Sequence, residues 1–221
     1  MKKSYTMSHT PNAKETRFAA CYDRKTQQPR VRQQFDPWRR ATAGQAHGVV
    51  LEVGAGGGQN FPFYDPARVE RVEAIEPDEA MLAIARRRLE EAPVSIHLIS
   101  APVEMLPFPD EQFDSVVATL VFCSVGDPEG GLREIWRVLK PGGTLLLLEH
   151  VRAQARTAAW VQDALVPPTT HFGGNCHWNR DTLHTVLHTD FQATQVRTVR
   201  RGLQPMLLLQ AVRPPMREEG P

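Results

Sequence analysis

The stretch Leu51-Glu52-Val53-Gly54-Ala55-Gly56-Gly57-Gly58-Gln59-Asn60 places an acidic residue ahead of alternating glycines, an acidic-x-Gly-x-Gly-x-Gly pattern running from Glu52 to Gly58. Glycines at a strand end let backbone approach a ligand closely, and the N-terminus of a following helix offers unpaired N–H groups. A dinucleotide fingerprint would need glycine at position 59, which is Gln59, and no Gly-Lys-Ser/Thr follows to make a Walker A loop. A second carboxylate, Glu76, stands 22 positions after Gly54, at the end of the next strand-like run. A carboxylate there can accept hydrogen bonds from both ribose hydroxyls of a nucleoside ligand. Glu52 has two readings, a ligand contact or an anchor that orients the loop N–H groups.

A second set of polar residues falls at later strand ends: Cys123, Asp127, Glu149 and His150. Asp127 and His150 are the candidates for acid–base work. His150 follows the fifth strand, so it either faces an acceptor, where an imidazole can serve as acid or base, or bonds a loop carbonyl as a structural residue. Cys123 reads first as a small buried residue. His171, Cys176 and His177 invite a metal reading, but adjacent Cys-His cannot easily share one tetrahedral ion and no second ligand pair has the usual spacing. No metal is expected. The segment from His171 to Arg180 is expected to fold over an acceptor pocket, with Phe172 and Trp178 as apolar walls.

Positioning these groups requires an α/β sheet of mostly parallel strands, because strand-like runs alternate with helical ones from Gly48 onward. The expected strands are 49–53, 71–75, 94–99, 115–122 and 144–148, with helices over 78–91 and after the Asp127-Pro128 cap. An amphipathic stretch at 157–165 precedes a Gly/Pro/His-rich segment, 167–179. The end reads as a helix (181–188) and two strands (193–199 and 205–212) with nothing helical between them, hence an antiparallel edge hairpin. The first 20 or so residues lack periodicity, and a weakly helical leader interrupted by Pro29 and Pro37 follows.

VLEVGAGGGQN, VEAIEPDEAML, LPFPDEQFDSVVATLVFCSV and LREIWRVLKPGGTLLLLEH together resemble a class I S-adenosylmethionine-dependent methyltransferase. The resemblance implies a Rossmann-like, doubly wound seven-stranded sheet over about residues 47–213. It implies that Glu52, Gly54, Ala55 and Gly56 belong to the cofactor site, the last three facing the methionine part. Glu76 would bind the ribose, Pro77 and Met81 would lie beside the adenine, and Val103 and Glu104 would close on its edge. Thr119 and Leu120 would flank the sulfonium. One departure stands at Pro102, where many relatives carry an aspartate for the adenine amino group; here backbone groups and Glu104 would serve. Gln59-Asn60-Phe61, Phe63-Tyr64, the run from Thr119 to Val125, Glu149-His150-Val151, and Cys176 with Arg180 are similar to thiol S-methyltransferases. The quinone and phospholipid methyltransferases are the second group, and a cofactor-binding protein without catalysis is the further alternative. A small, rather apolar acceptor is implied.

Composition frames these readings. The 221 residues are 41% hydrophobic with net charge +1, enough for one domain with a sizeable core. Three cysteines make no disulfide framework and favour a reducing compartment, so a cytoplasmic protein is expected. No apolar run is long enough to span a bilayer, and no secretory signal is evident. Residues 1–46 carry +7, which leaves −6 for residues 47–221. That leader lacks a dense basic block, so nucleic acid is not an expected partner. It is expected to be partly disordered and to act as a lid on the cleft, while 151–180 serves the acceptor side and 214–221 forms a flexible tail.

Overall fold

The computed structural model describes residues 10–172, 175–199 and 203–215. Its centre is a seven-stranded sheet in the order β3-β2-β1-β4-β5-β7-β6. The strands are β1 (Gly48–Val53), β2 (Val69–Ile75), β3 (Ile96–Ile99), β4 (Phe113–Thr119), β5 (Leu139–His150), β6 (Gln192–Val199) and β7 (Met206–Val212). β1 to β5 pair in parallel, whereas β7 runs antiparallel to both β5 and β6. The expected doubly wound sheet with its terminal antiparallel hairpin is therefore present.

β1 and β4 are buried on both faces, as parallel strands under two helical layers must be. Val49, Leu51, Val116, Ala118, Leu145 and Leu147 point to one core, which Leu132, Ile135 and Val138 of α4 (Pro128–Val138) complete. Val50, Val117 and Leu146 point to the other, with Phe61, Tyr64 and Ala85 of α3 (Glu79–Arg88). Aspartates start the helices that follow strands. Asp78 accepts from the Ala80 and Met81 N–H groups at 2.8 and 3.2 Å, and Asp127 from Gly130 at 2.9 Å.

Four stretches depart from the sequence reading. First, the expected leader helix begins earlier, inside the first 20 residues, as α1 (Ala13–Thr26), and Pro29 opens a second helix, α2 (Pro29–Ala41). A capping box starts α1, in which Asn12 accepts from Lys14 and Glu15 while its own N–H donates to Glu15 Oε2 at 2.8 Å. α1 then packs Ala19, with Phe18 and Tyr22, on Ala80, Met81 and Ile84 of α3. Residues 1–9, the start of that expected disorder, and 216–221 of the expected tail lie outside the described residues. Second, no α-helix follows the glycine run; a 3₁₀ turn (Phe61–Phe63) replaces it.

Third, β4 stops at Thr119 because Leu120 adopts φ +60° and turns the chain. Fourth, α5 (Arg156–Phe172) runs past the amphipathic stretch at 157–165 and on into the Gly/Pro/His-rich segment. Its buried Gln162 fixes it in place, accepting from the Ala153 N–H at 2.7 Å and donating to the Leu203 carbonyl at 3.0 Å. Tertiary anchoring of this kind overrides local propensity. α6 (Thr182–Leu187) precedes the hairpin.

Ile135 of α4 is fully buried between the sheet and its neighbours. Ile135→Ala is expected to destabilise the fold by about 2–5 kcal/mol, the range for emptying a packed aliphatic site. Arg133→Ala, on the exposed face of the same helix, should shift stability by less than about 0.5 kcal/mol. Urea unfolding of both variants measures the contrast.

Candidate functional site

A cleft of about 860 Å³ opens at the C-terminal ends of β1, β2, β4 and β5, with α1 along one side. Gly54, Ala55, Gly56, Glu76, Pro77, Met81, Val103, Glu104, Thr119, Leu120 and His150 all line it. The residues singled out in the sequence therefore converge on one cavity, at the strand-end location where open α/β sheets bind ligands. Glu52 and Asp127 are not among its lining residues.

The glycine loop owes its shape to backbone that L side chains rarely adopt. Gly54 and Gly58 have φ +63° and +80°. A Cβ at Gly54 would come within 2.6 Å of Val121 Cγ2, so glycine is what lets this loop touch the loop after β4. The Gly56 N–H donates to Glu76 Oε2 at 2.9 Å, and the Asp78 N–H donates to Oε1 at 2.9 Å. Both bonds favour the ionised carboxylate, but burial outweighs them and lifts Glu76 to about 7. Each oxygen retains a second lone pair for a ligand hydroxyl.

Glu52 lies behind the cleft wall. Asn60 Nδ2 donates to its Oε1 at 3.0 Å and Tyr64 Oη to its Oε2 at 2.8 Å. Asn60 Nδ2 also reaches Thr119 Oγ1 at 3.1 Å, while Asn60 Oδ1 accepts from Arg39 Nη1 at 2.6 Å. One buried amide thus joins β1, β4 and leader helix α2. Burial raises Glu52 to about 7 against its two side-chain hydrogen bonds. Arg39 gave no sequence signal, because a basic residue in a basic leader looks solvated. Arg88 ties α1 to the same loop by pairing with Asp23 and donating to the Gly57 carbonyl.

The far end of the cleft is different in character. Glu149, at the end of β5, is fully buried and accepts from the Val121 and Phe122 N–H groups at 2.7 and 2.9 Å. Burial pushes its carboxyl well above the usual range. Glu104 Oε1 accepts from Gly126 and Asp127 at 3.1 and 3.3 Å, while the Asp127 side chain caps α4. Cys123, His150 and Cys176 meet here, with ligand-capable atoms within 4.8 Å of one another. A hydrogen bond to Cys176 and burial push the Cys123 thiol up, and the same hydrogen bond lowers Cys176.

Sequence reasoning weighed Cys176 with His171 and His177; the fold pairs it instead with residues from two other strand ends. His177 spends its N–H on the Cys123 carbonyl at 2.6 Å and its ring faces Asn175. Trp178 is buried, its carbonyl accepting from Gln162 at 3.3 Å, and the side chains of His171 and Phe172 lie outside the described residues. Leader residues Phe18, Tyr22 and Arg39 also line the cleft and were not anticipated. Among the described residues no helix is long and apolar enough to cross a membrane.

A doubly wound, mostly parallel sheet with a glycine loop after β1 and a carboxylate after β2 defines a Rossmann-like protein. The family described as "Methyltransferase domain" matches residues 51–147. The chain is 34% identical over 152 residues to thiol S-methyltransferase TMT1B of Rattus norvegicus, a match covering 67% of this chain and 62% of that protein. It is 31% identical to the Homo sapiens thiol S-methyltransferase TMT1B, covering 75% and 68%. With phosphatidylethanolamine N-methyltransferase of Cereibacter sphaeroides it shares 36% identity over 65% of this chain and 70% of that one. A solved putative methyltransferase from Bacillus halodurans superposes with a TM-score of 0.68 at 17% identity, covering 82% of this chain and 99% of its own. The chain belongs to the class I S-adenosylmethionine-dependent methyltransferases. It spans less than two thirds of the rat relative, 62% of its length.

Glu52 makes the site's burial measurable. Its folded value of about 7 lies above the ordinary 4.5, so between those limits the folded chain holds a proton that the unfolded chain releases. Its contribution to stability is therefore highest at low pH, falls as pH rises through that window, and is constant above it. Relative to Glu52→Gln, the wild type should lose about 2–3 kcal/mol between about pH 5 and pH 8. Denaturant unfolding of both proteins at each pH tests this; a flat difference would show that Glu52 is ionised throughout.

Proposed function

We propose that the chain transfers the methyl group of S-adenosylmethionine to a small, rather apolar acceptor, with an alkyl thiol as the first candidate. One observation carries this reading: a nucleoside-type half (Gly56, Glu76) and a sulfur- and imidazole-bearing half (Cys123, His150, Cys176) line the same cavity. The relatives named for thiol S-methylation support the choice of acceptor. The residues present suit the donor: a buried carboxylate with free lone pairs, a loop with no Cβ at Gly56, and a cleft within the size range of small-molecule sites.

The donor arrives already activated, so the chain has to position the partners in line and exclude water. Backbone at Gly54, Ala55 and Gly56 faces the methionine part, and Glu76 accepts from the ribose hydroxyls. Pro77 and Met81 lie beside the adenine, with Val103 and Glu104 at its edge. Thr119 and Leu120 flank the sulfonium. Glu52 acts through Asn60, holding the loop and Thr119 in register. Asp127 serves the site by capping α4. His150 stands where an acceptor must lose its proton before attack. The new bond joins acceptor sulfur to the methyl carbon, and the electron pair of the broken bond stays on the donor sulfur. α1 forms a lid, because its inner face supplies Phe18 and Tyr22 to the cleft.

A second reading, transfer to a phospholipid amine, rests on the comparable identity to the phosphatidylethanolamine enzyme. An S-adenosylhomocysteine release assay across alkyl thiols, quinols and aminophospholipid separates the two; turnover of lipid with silence on thiols would overturn the first. Glu76→Ala should weaken S-adenosylmethionine binding by about 1.5–3 kcal/mol in calorimetric titration. Unchanged affinity would remove Glu76 from the ribose. His150→Asn should lower thiol turnover roughly 10²–10⁴-fold while leaving donor affinity in place.

A further inference from the structure

Methyl transfer as described needs one proton-accepting group at the acceptor end, yet the cleft presents three metal-capable side chains there. Cys123 comes from the loop after β4, His150 from the end of β5 and Cys176 from the segment after α5. Their ligand atoms lie within 4.8 Å of one another, and all three residues line the cleft.

The grouping is held from behind. The His177 N–H donates to the Cys123 carbonyl at 2.6 Å, and Asn175 Nδ2 to the Ser124 carbonyl at 3.1 Å. Arg180 Nη1 donates to the carbonyls of Phe122 and Val125 at 2.6 and 2.8 Å. These bonds lock the 175–180 segment onto the loop that carries Cys123, so Cys176 and Cys123 face each other by construction. Among the described residues His150 Nδ1 is buried with no hydrogen-bond partner, while the imidazole already hydrogen-bonds the Cys123 thiol. A Cys123–Cys176 disulfide would use only the two sulfurs, whereas a shared ion engages a ring nitrogen of the imidazole together with both.

Two thiolates and an imidazole form a borderline-soft donor set suited to zinc. Tetrahedral coordination, with Zn–S of about 2.3 Å and Zn–N of about 2.0–2.1 Å, puts ligand atoms roughly 3.5–3.8 Å apart. Closing the present grouping therefore takes a movement of about 1 Å, within the reach of side-chain rotation. Three protein ligands leave a tetrahedral ion one position, as in sites that bind a reactant. Here the open side is the cleft itself.

We propose that Cys123, His150 and Cys176 bind a zinc-class divalent ion whose fourth position takes the sulfur of a thiol acceptor. The inference rests on the reading of this cleft as the acceptor site. When the acceptor binds, its S–H bond breaks, the proton leaves to water, and the sulfur keeps the lone pair that later forms the S–CH₃ bond. A coordinated thiol is held deprotonated. His150 then acts as a ligand, and the ion takes over the task of removing the proton.

Cobalt(II) titration of the reduced, chelator-stripped protein tests the site directly. One ion per chain should bind, with sulfur-to-cobalt charge-transfer absorption and the intense visible bands of a tetrahedral centre. Cys176→Ser and His150→Asn should each weaken binding by roughly 100-fold or more and diminish those bands. Cys21→Ser, on exposed α1 surface, should bind like wild type. Adding an alkyl thiol to the cobalt protein should shift the visible bands. Circular dichroism of each variant separates loss of a ligand from loss of fold. A reduced, folded protein that binds no cobalt, or binds it equally well after Cys176→Ser, overturns the site. Thiol turnover by stripped protein would overturn the ion's part in acceptor binding while leaving the methyl-transfer reading intact. If no thiol turns over with or without metal, that reading fails, and the cobalt spectrum still decides the site.

Discussion

A parallel strand that stops inside a protein leaves the loop after it with backbone N–H groups that no neighbouring strand can satisfy. This chain meets the constraint repeatedly with the same device, a carboxylate reaching across from an adjacent segment. Glu76 takes Gly56 and Asp78, Glu149 takes Val121 and Phe122, Glu104 takes Gly126 and Asp127, and Glu134 takes Leu106. The cleft exists because these loops are stitched sideways instead of collapsing onto one another. The device has a thermodynamic cost: Glu76 and Glu149 are buried deeply enough that desolvation works against their ionised forms.

The two halves of the cleft differ in how firmly the fold dictates them. The donor side is built on strand ends whose register the sheet fixes, so Gly56 and Glu76 meet once β1 and β2 pair. The acceptor side also depends on a segment 50 or so positions downstream of Cys123, brought back by Arg180 and Asn175. On the proposed reading, a scaffold of this kind can keep its donor while changing its acceptor through that one segment.

Legibility in the sequence followed the same division. The alternation of strands and helices, the Asp127-Pro128 start of α4 and the closing hairpin could be read from local pattern. So could Glu76 and the glycine loop, because their spacing reflects one strand–loop–strand unit. What pattern could not supply was contact between distant pieces. Nothing local marks Arg39 as the partner of Asn60, or sets α1 over α3. The Cys123–His150–Cys176 grouping was hidden for the same reason: metal-spacing rules look for ligands close in sequence, and these three come from separate segments of the chain. The missing helix after Gly58 has a local cause, since Asn60 and Tyr64 turn inward to Glu52 and hold a tight 3₁₀ turn there.

The strand order carries a consequence for how this chain is made. β7 sits between β5 and β6, and among the described residues β6 pairs with no strand but β7. During synthesis β6 leaves the ribosome first and has no place in the sheet until its successor arrives. Until then the open edge of β5, with Glu149 and His150 at its tip, stands unpaired. The sheet can complete itself only once the segment after residue 205 has emerged, so assembly of the acceptor end trails translation while β1 to β5 are free to pair earlier.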